Sequence, residues 1–124
     1  MDANKTTEKI NAEEFAVAEK EAEKSGYTYT HKFAKPFECE EKKYEELTFD
    51  WGGLTGTDSL AIEREMAQLG LPLVTPEFSG EYLVRMAARA CTTKIGSDVL
   101  CRLPLKDFNR IRNRARSFLL KLEL

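Results

Sequence analysis

The residues able to do chemistry are few. The chain holds one histidine, three cysteines and 21 acidic residues. His31, in "YTHKF", has no neighbour that nominates a Ser-His-Asp or Cys-His arrangement, so it reads as a plain strand or loop histidine. Cys39, Cys91 and Cys101 are odd in number, widely spaced and without a CxxC pair, which argues against a disulfide framework and a zinc knuckle alike. They read as small, reduced, partly buried side chains. With no ligand cluster and no cofactor fingerprint, no cofactor or metal is expected.

The stretch "FDWGGLTGTDSL", Phe49 to Leu60, is the one candidate for a phosphate cradle. A phosphate loop aims backbone N–H groups at the anion and adds a lysine. Here the spacing differs, no lysine follows Gly56, and Asp50 and Asp58 would repel a phosphate. Gly52, Gly53 and Gly56 are therefore expected to turn the backbone between a strand and a helix. A second candidate is the line Glu81, Arg85, Arg89, at successive steps of four along one helix, which reads as that helix's solvated edge rather than a catalytic pair.

These residues need elements to hold them. A chain of 124 residues, 42% hydrophobic and 32% charged, is the size and make-up of one globular domain with its own core. No apolar run approaches the roughly 18–20 residues that span a bilayer, so no membrane partner is expected. The start "MDANKTTEKINAEEF" lacks a basic segment followed by an apolar one, so a cytoplasmic location is expected. Residues 1–26 are glutamate-rich, with like charges at Glu19/Glu23 and Lys20/Lys24, and read as a flexible charged arm ahead of a single domain over 27–124.

From Tyr27 the period is two. "YTYTHKFAKPFEC" alternates Tyr27, Tyr29, His31 and Phe33 against threonine and lysine, and "KKYEELTFDW" alternates Leu47, Phe49 and Trp51 against Glu46, Thr48 and Asp50. The pair predicts an antiparallel hairpin turning near Glu40-Glu41-Lys42, with Pro36 marking an edge or a break. After Gly56 the period becomes 3.6. "DSLAIEREMAQLG" carries a stripe of Ile62, Met66 and Leu69, ended by Gly70 and Pro72. "TPEFSGEYLVRMAARACTTKIG" has caps at Thr75-Pro76 or Ser79 and apolar positions from Phe78 to Ala90, which predicts the central, most buried helix. Ser97 reads as the cap of a short turn, and Pro104 as the start of the last helix. The fold class is α+β: an N-terminal hairpin followed by a bundle of about three helices.

The last helix decides the sign of the partner. From Asp98 onward seven basic residues stand against three acidic ones, a net of +4, so the rest of the chain carries −6 of the total −2. At about 100° per residue, Phe108, Ile111, Ala115, Phe118, Leu119 and Leu122 share a face. Arg110 and Arg114 border it on one side, Arg112 and Arg116 on the other. Arginines on both rims of an apolar seam suit protein contacts, whereas nucleic acid favours one continuous basic face. A small RNA-binding regulator using Arg110, Arg112, Arg114 and Arg116 is the alternative. The heads of Arg112 and Arg116 are expected to be solvated, and Phe118 to belong to the core.

Taken in order, "KPFE", "YEELTFDW", "LTGTD", "LAIEREM", "FSGEYLVRMAARA" and "LPLKDFNRIRNRARSFLL" resemble the phage tail assembly chaperone family of Mu-like and P2-like phages and related prophages. The resemblance spans roughly residues 33–120 and leaves the arm outside. Glu40-Glu41-Lys42 stand where many relatives carry a glycine. The resemblance implies a non-enzymatic protein of the bacterial host cytoplasm, absent from the finished virion. Its partners would be the tape-measure protein, which it holds soluble, the tail-tube protein, a second copy of itself and a longer form made by ribosomal frameshifting. A holdase needs an apolar groove rimmed by charge. The expected groove lies beside Phe108, Ile111 and Phe118 and the hairpin aromatics Phe49 and Trp51, with Arg112 and Arg116 on its rim.

Overall fold

The computed structural model describes residues 27–122. The expected charged arm, residues 1–26, lies outside the described residues. The rest is an α+β fold: strands β1 (Thr28–Cys39) and β2 (Lys42–Asp50), then helices α1 (Gly56–Gln68), α2 (Gly80–Ala90), α3 (Ser97–Leu100) and α4 (Leu105–Leu122). Single 3-10 turns over Trp51–Gly53 and Pro76–Phe78 precede α1 and α2.

The hairpin turns where expected, and at a conformational cost. Glu40 and Glu41 have φ of 52° and 66°, the left-handed values of a two-residue hairpin turn that glycine and asparagine adopt with least strain. Near its open end Thr28 pairs with Asp50 and Lys32 with Glu46; near its tip Phe37 pairs with Tyr44 and Cys39 with Lys42. Four residues of β1, Phe33 to Pro36, therefore lie opposite Glu45 alone. Pro36, which has no N–H for a ladder, sits inside this bulge.

Alternation then sets the inner face. His31, Phe33, Leu47 and Phe49 are buried, while Thr30, Lys32 and Glu46 are exposed. Helix α2 lies at the centre, with Tyr82, Leu83, Val84, Met86, Ala87 and Ala90 buried, as its nearly all-round apolar pattern demands. Ile62 and Met66 of α1 and Ile111 and Ala115 of α4 pack into the same core. After α2, Cys91 bridges Phe49, and Thr92 N–H donates to the Thr48 carbonyl at 2.8 Å, so the chain covers the outer edge of β2.

Helix ends follow local chemistry. Ser79 Oγ accepts the Tyr82 N–H at 3.1 Å and caps α2, while Thr75-Pro76 opens the separate turn before it. Gly70, at φ 71°, closes α1, with the Leu71 N–H reaching back to the Met66 carbonyl at 2.9 Å. Two expected core positions are not in the core. Leu69, where α1 ends, is 59% exposed, and Phe78, in the turn before α2, is 73% exposed. Gly96 rather than Ser97 precedes α3.

The Asp58 carboxylate fills the place an anion would take at the start of α1. It accepts the Thr55 N–H at 2.8 Å and the Arg89 Nε at 2.8 Å. The glycines before it turn the chain without positive φ, and a Cβ at Gly53 would come within 2.9 Å of the Asp50 carboxylate, which would have to swing aside. The line Glu81, Arg85, Arg89 is exposed at Glu81 and Arg89, as a solvated edge is, and it also carries ion pairs from α2 to α1. Arg85 bonds Glu81 and Glu65, and its side chain is only 11% exposed. Burial alone would lower the Arg85 guanidinium, and the Glu81 and Glu65 carboxylates more than reverse it.

Two outcomes follow from these contacts. Replacing Glu41 with glycine removes a left-handed side-chain clash, so thermal melts should show stabilisation of about 0.4–1 kcal/mol. The Thr55 N–H, with Arg89, holds the Asp58 carboxyl below the usual aspartate range. Its contribution is thus complete above the ordinary value of about 4 and vanishes as pH falls through the lowered one. Urea titrations of the native chain and Asp58→Asn should differ by about 1 kcal/mol at pH 7, begin to approach below the ordinary aspartate value, and converge only once pH has fallen through the lowered Asp58 value.

Candidate functional site

The seven residues expected to bind a partner divide into two groups. Phe49 is fully buried, and Trp51 and Ile111 are 3% exposed, so these three form the core and offer no face to a partner. The indole of Trp51 stacks 5.4 Å from Phe49 and 6.3 Å from Phe118. Phe118 also meets Tyr27 edge-on at 5.3 Å. Phe108 and Phe118 are half-buried. The expected groove between α4 and the hairpin is therefore filled by its own walls.

Arg112 and Arg116 are not solvated. Arg116 Nε donates to the Glu77 carbonyl at 2.9 Å, tying α4 to the turn before α2. Arg112 lies over the Phe108 ring at 5.5 Å and reaches Asn109 Oδ1 at 3.1 Å. Its guanidinium would sit 3.2 Å from a Cβ placed at Gly80. Its Nε and Glu77 Oε2 are buried without a hydrogen-bond partner. On the other rim Arg114 stacks over Tyr29 at 5.0 Å, while Arg110 stays exposed beside β1. The long stems cover apolar surface, as the two-rim geometry requires, and the heads of Arg112, Arg114 and Arg116 meet Asn109, Tyr29 and the Glu77 carbonyl.

The apolar surface that does face outward lies elsewhere. Val74 is 94% exposed, Phe78 73% and Leu120 43%. The Arg116–Glu77 bond presses the Pro76–Phe78 turn against α4, and Leu120 lies one turn beyond Arg116 on that side. Arg116 thus stands between Phe78 and Leu120, a cation beside exposed apolar side chains.

The one histidine is part of a constellation that spacing did not indicate. His31 Nε2 lies 2.7 Å from Asp107 Oδ1, and its Nδ1 lies 2.8 Å from the Tyr29 hydroxyl. A neutral imidazole protonated on Nε2 satisfies both, donating to the carboxylate and accepting from the phenol. The order hydroxyl, imidazole, carboxylate is that of a catalytic triad. The imidazole is 5% exposed, however, and the group joins β1 to the first turn of α4. The contact ties the helix to the strand.

Comparison with family models, curated proteins and solved structures found no match.

The cysteines remain free thiols. Burial pushes the Cys91 thiol up, away from the reactive thiolate. Cys39 is buried and accepts a hydrogen bond from Arg102 Nη1 at 3.1 Å. Two residues mattered that the sequence did not single out, Val74 and Asp107. The first lies in a Pro-rich connection with no period, and the second is 76 positions from its partner.

Because Arg112 and Arg116 are built into the fold, reversing both to glutamate should destabilise it by about 1–3 kcal/mol in urea unfolding. The same change at exposed Arg64 should stay within about 0.5 kcal/mol.

Proposed function

We propose that this chain is a phage tail assembly chaperone, a non-enzymatic protein that binds the tape-measure protein in the bacterial host cytoplasm, keeps it soluble and helps recruit tail-tube subunits before leaving the tail. The ordered resemblance from residues 33 to 120 is the starting point. The observation that supports it best is the outward exposure of Val74, Phe78 and Leu120, at 94%, 73% and 43%, with Arg116 tying the turn of Phe78 to the helix of Leu120. A helical client with an apolar stripe edged by carboxylates would lay that stripe on these side chains, with Arg112 and Arg116 near its charges. Contacts of this size are weak and reversible, which suits a protein that must let its client go.

In this reading the partner surface is not the groove of Phe49, Trp51, Phe108, Ile111 and Phe118 but the outward patch beside it. Changing Val74 and Phe78 to serine alters exposed side chains, so the fold should survive. Co-expression with the tape-measure protein should then leave that protein insoluble, whereas the native chain keeps it in the soluble fraction. If the tape-measure protein is equally soluble with no chaperone present, and a nuclease-treated pull-down loses all its bound material, the RNA-binding alternative replaces this one.

A further inference from the structure

The outward side chains around Arg116 have a counterpart in this chain's own sequence. Leu120 is 43% exposed and Phe78 73%, and the Arg116–Glu77 bond at 2.9 Å holds the turn of Phe78 to the helix of Leu120. Helix α4 carries six basic residues against Asp107, a net of +5. An occupant that fits such a surface presents an apolar stripe edged by carboxylates.

Residues 1–26 have that pattern. They hold seven acidic residues against four basic ones, a net of −3. At about 100° per residue, Phe15, Ala18 and Ala22 share one side of a helical projection, with Glu14 and Glu21 on one border and Glu19 and Glu23 on the other. This is the inverse of α4, where arginines border the apolar seam.

The segment also joins the domain beside the surface it would cover. Its junction is Tyr27, whose ring meets Phe118 edge-on at 5.3 Å on the flank of α4. Tyr27 has φ 67°, a left-handed value that turns the backbone out of line with β1. Leu120 stands two positions from Phe118, about 200° around the same helix. The four residues between Ala22 and Tyr27 reach about 14 Å when extended, enough to cross the roughly 10–12 Å breadth of a helix.

We propose that residues 1–26 dock back on this chain's own patch, with Phe15 and the two alanines against Leu120 and Phe78 and the bordering glutamates near Arg116. A short tether supplies an effective concentration in the millimolar range, so a contact too weak to join two separate molecules is occupied within one. Any partner of the patch must then displace the segment, which acts as a built-in competitor. The contact within the chain stands whether or not that partner is a tape-measure protein.

The test uses the full chain, isotope-labelled for NMR, with no partner added. Nuclear Overhauser contacts should connect the Phe15 ring to the Leu120 methyl groups. Phe15→Ser should shift the amides of residues 76–79 and 116–120, and Glu19→Lys with Glu23→Lys should shift the same amides in the same direction. In reverse, Phe78→Ser alters an exposed side chain and should shift amides between residues 10 and 24. Amides of the hairpin and α2 report that the fold is intact in each variant. Shifts from Phe15→Ser confined to residues 1–26, or a charge reversal that leaves the 116–120 amides in place, overturn the proposal. So do Phe15 contacts found between labelled and unlabelled copies in a mixed sample, because the occupant would then be a second copy of the chain.

Discussion

A buried imidazole needs partners for both ring nitrogens, and His31 obtains them from Tyr29 on its own strand and Asp107 on α4. Much of the remaining architecture follows from that requirement. A two-stranded hairpin is not stable alone in water, so its apolar face must be roofed. Asp107 sits in the first turn of α4, where the helix dipole also favours a carboxylate, and its bond fixes where the helix begins its crossing. From that point the 3.6-residue repeat carries Ile111 and Ala115 into the core and Phe118 against Trp51 at the far side. Leaving Asp107 without the imidazole would strand polar groups on both elements, so the contact specifies position more than it adds stability.

Polar side chains join the helices by the same logic of satisfied partners. Asp58 serves the Thr55 N–H at the start of α1 and Arg89 at the end of α2. Arg85 links Glu81 and Glu65 across the same two helices. Arg116 ties α4 to the loop that leads into α2. Asp58, Arg85, Arg89 and Arg116 are thus used to join one element of the chain to another.

Periodicity carried the reading of the fold a long way. The alternation of each strand, the turn at Glu40-Glu41, the end of α1 at Gly70 and the Ser79 cap are local events, decided by residues within a few positions of each other. The arginine rims of α4 were legible for the same reason. What was not legible depends on where elements dock. Leu69 and Phe78 continue the apolar pattern of their helices, yet one lies at a helix end and the other in the turn before a helix, where there is no face left to bury. Phe49 and Trp51 read as surface candidates because nothing local says that Phe118 will cover them. The His31–Asp107 bond joins residues 76 apart, and no repeat or spacing encodes such a pair.

The bulge of β1 has a bearing on how this sequence can vary. Across it the pairing shifts by three places, an odd number, so that β1 keeps His31, Phe33, Phe37 and Cys39 on one side. On β2 the corresponding parity changes between Tyr44 and Leu47, and the Phe37–Tyr44 and Phe33–Phe37 ring contacts hold the two registers together. In an unbroken ladder, losing or gaining one residue would turn every later side chain to the wrong face. Here the mismatch is already confined to Ala34, Lys35 and Pro36, which are exposed and carry no part of the core. Insertions and deletions among homologous chains should therefore collect at this point, leaving the pairing on either side intact.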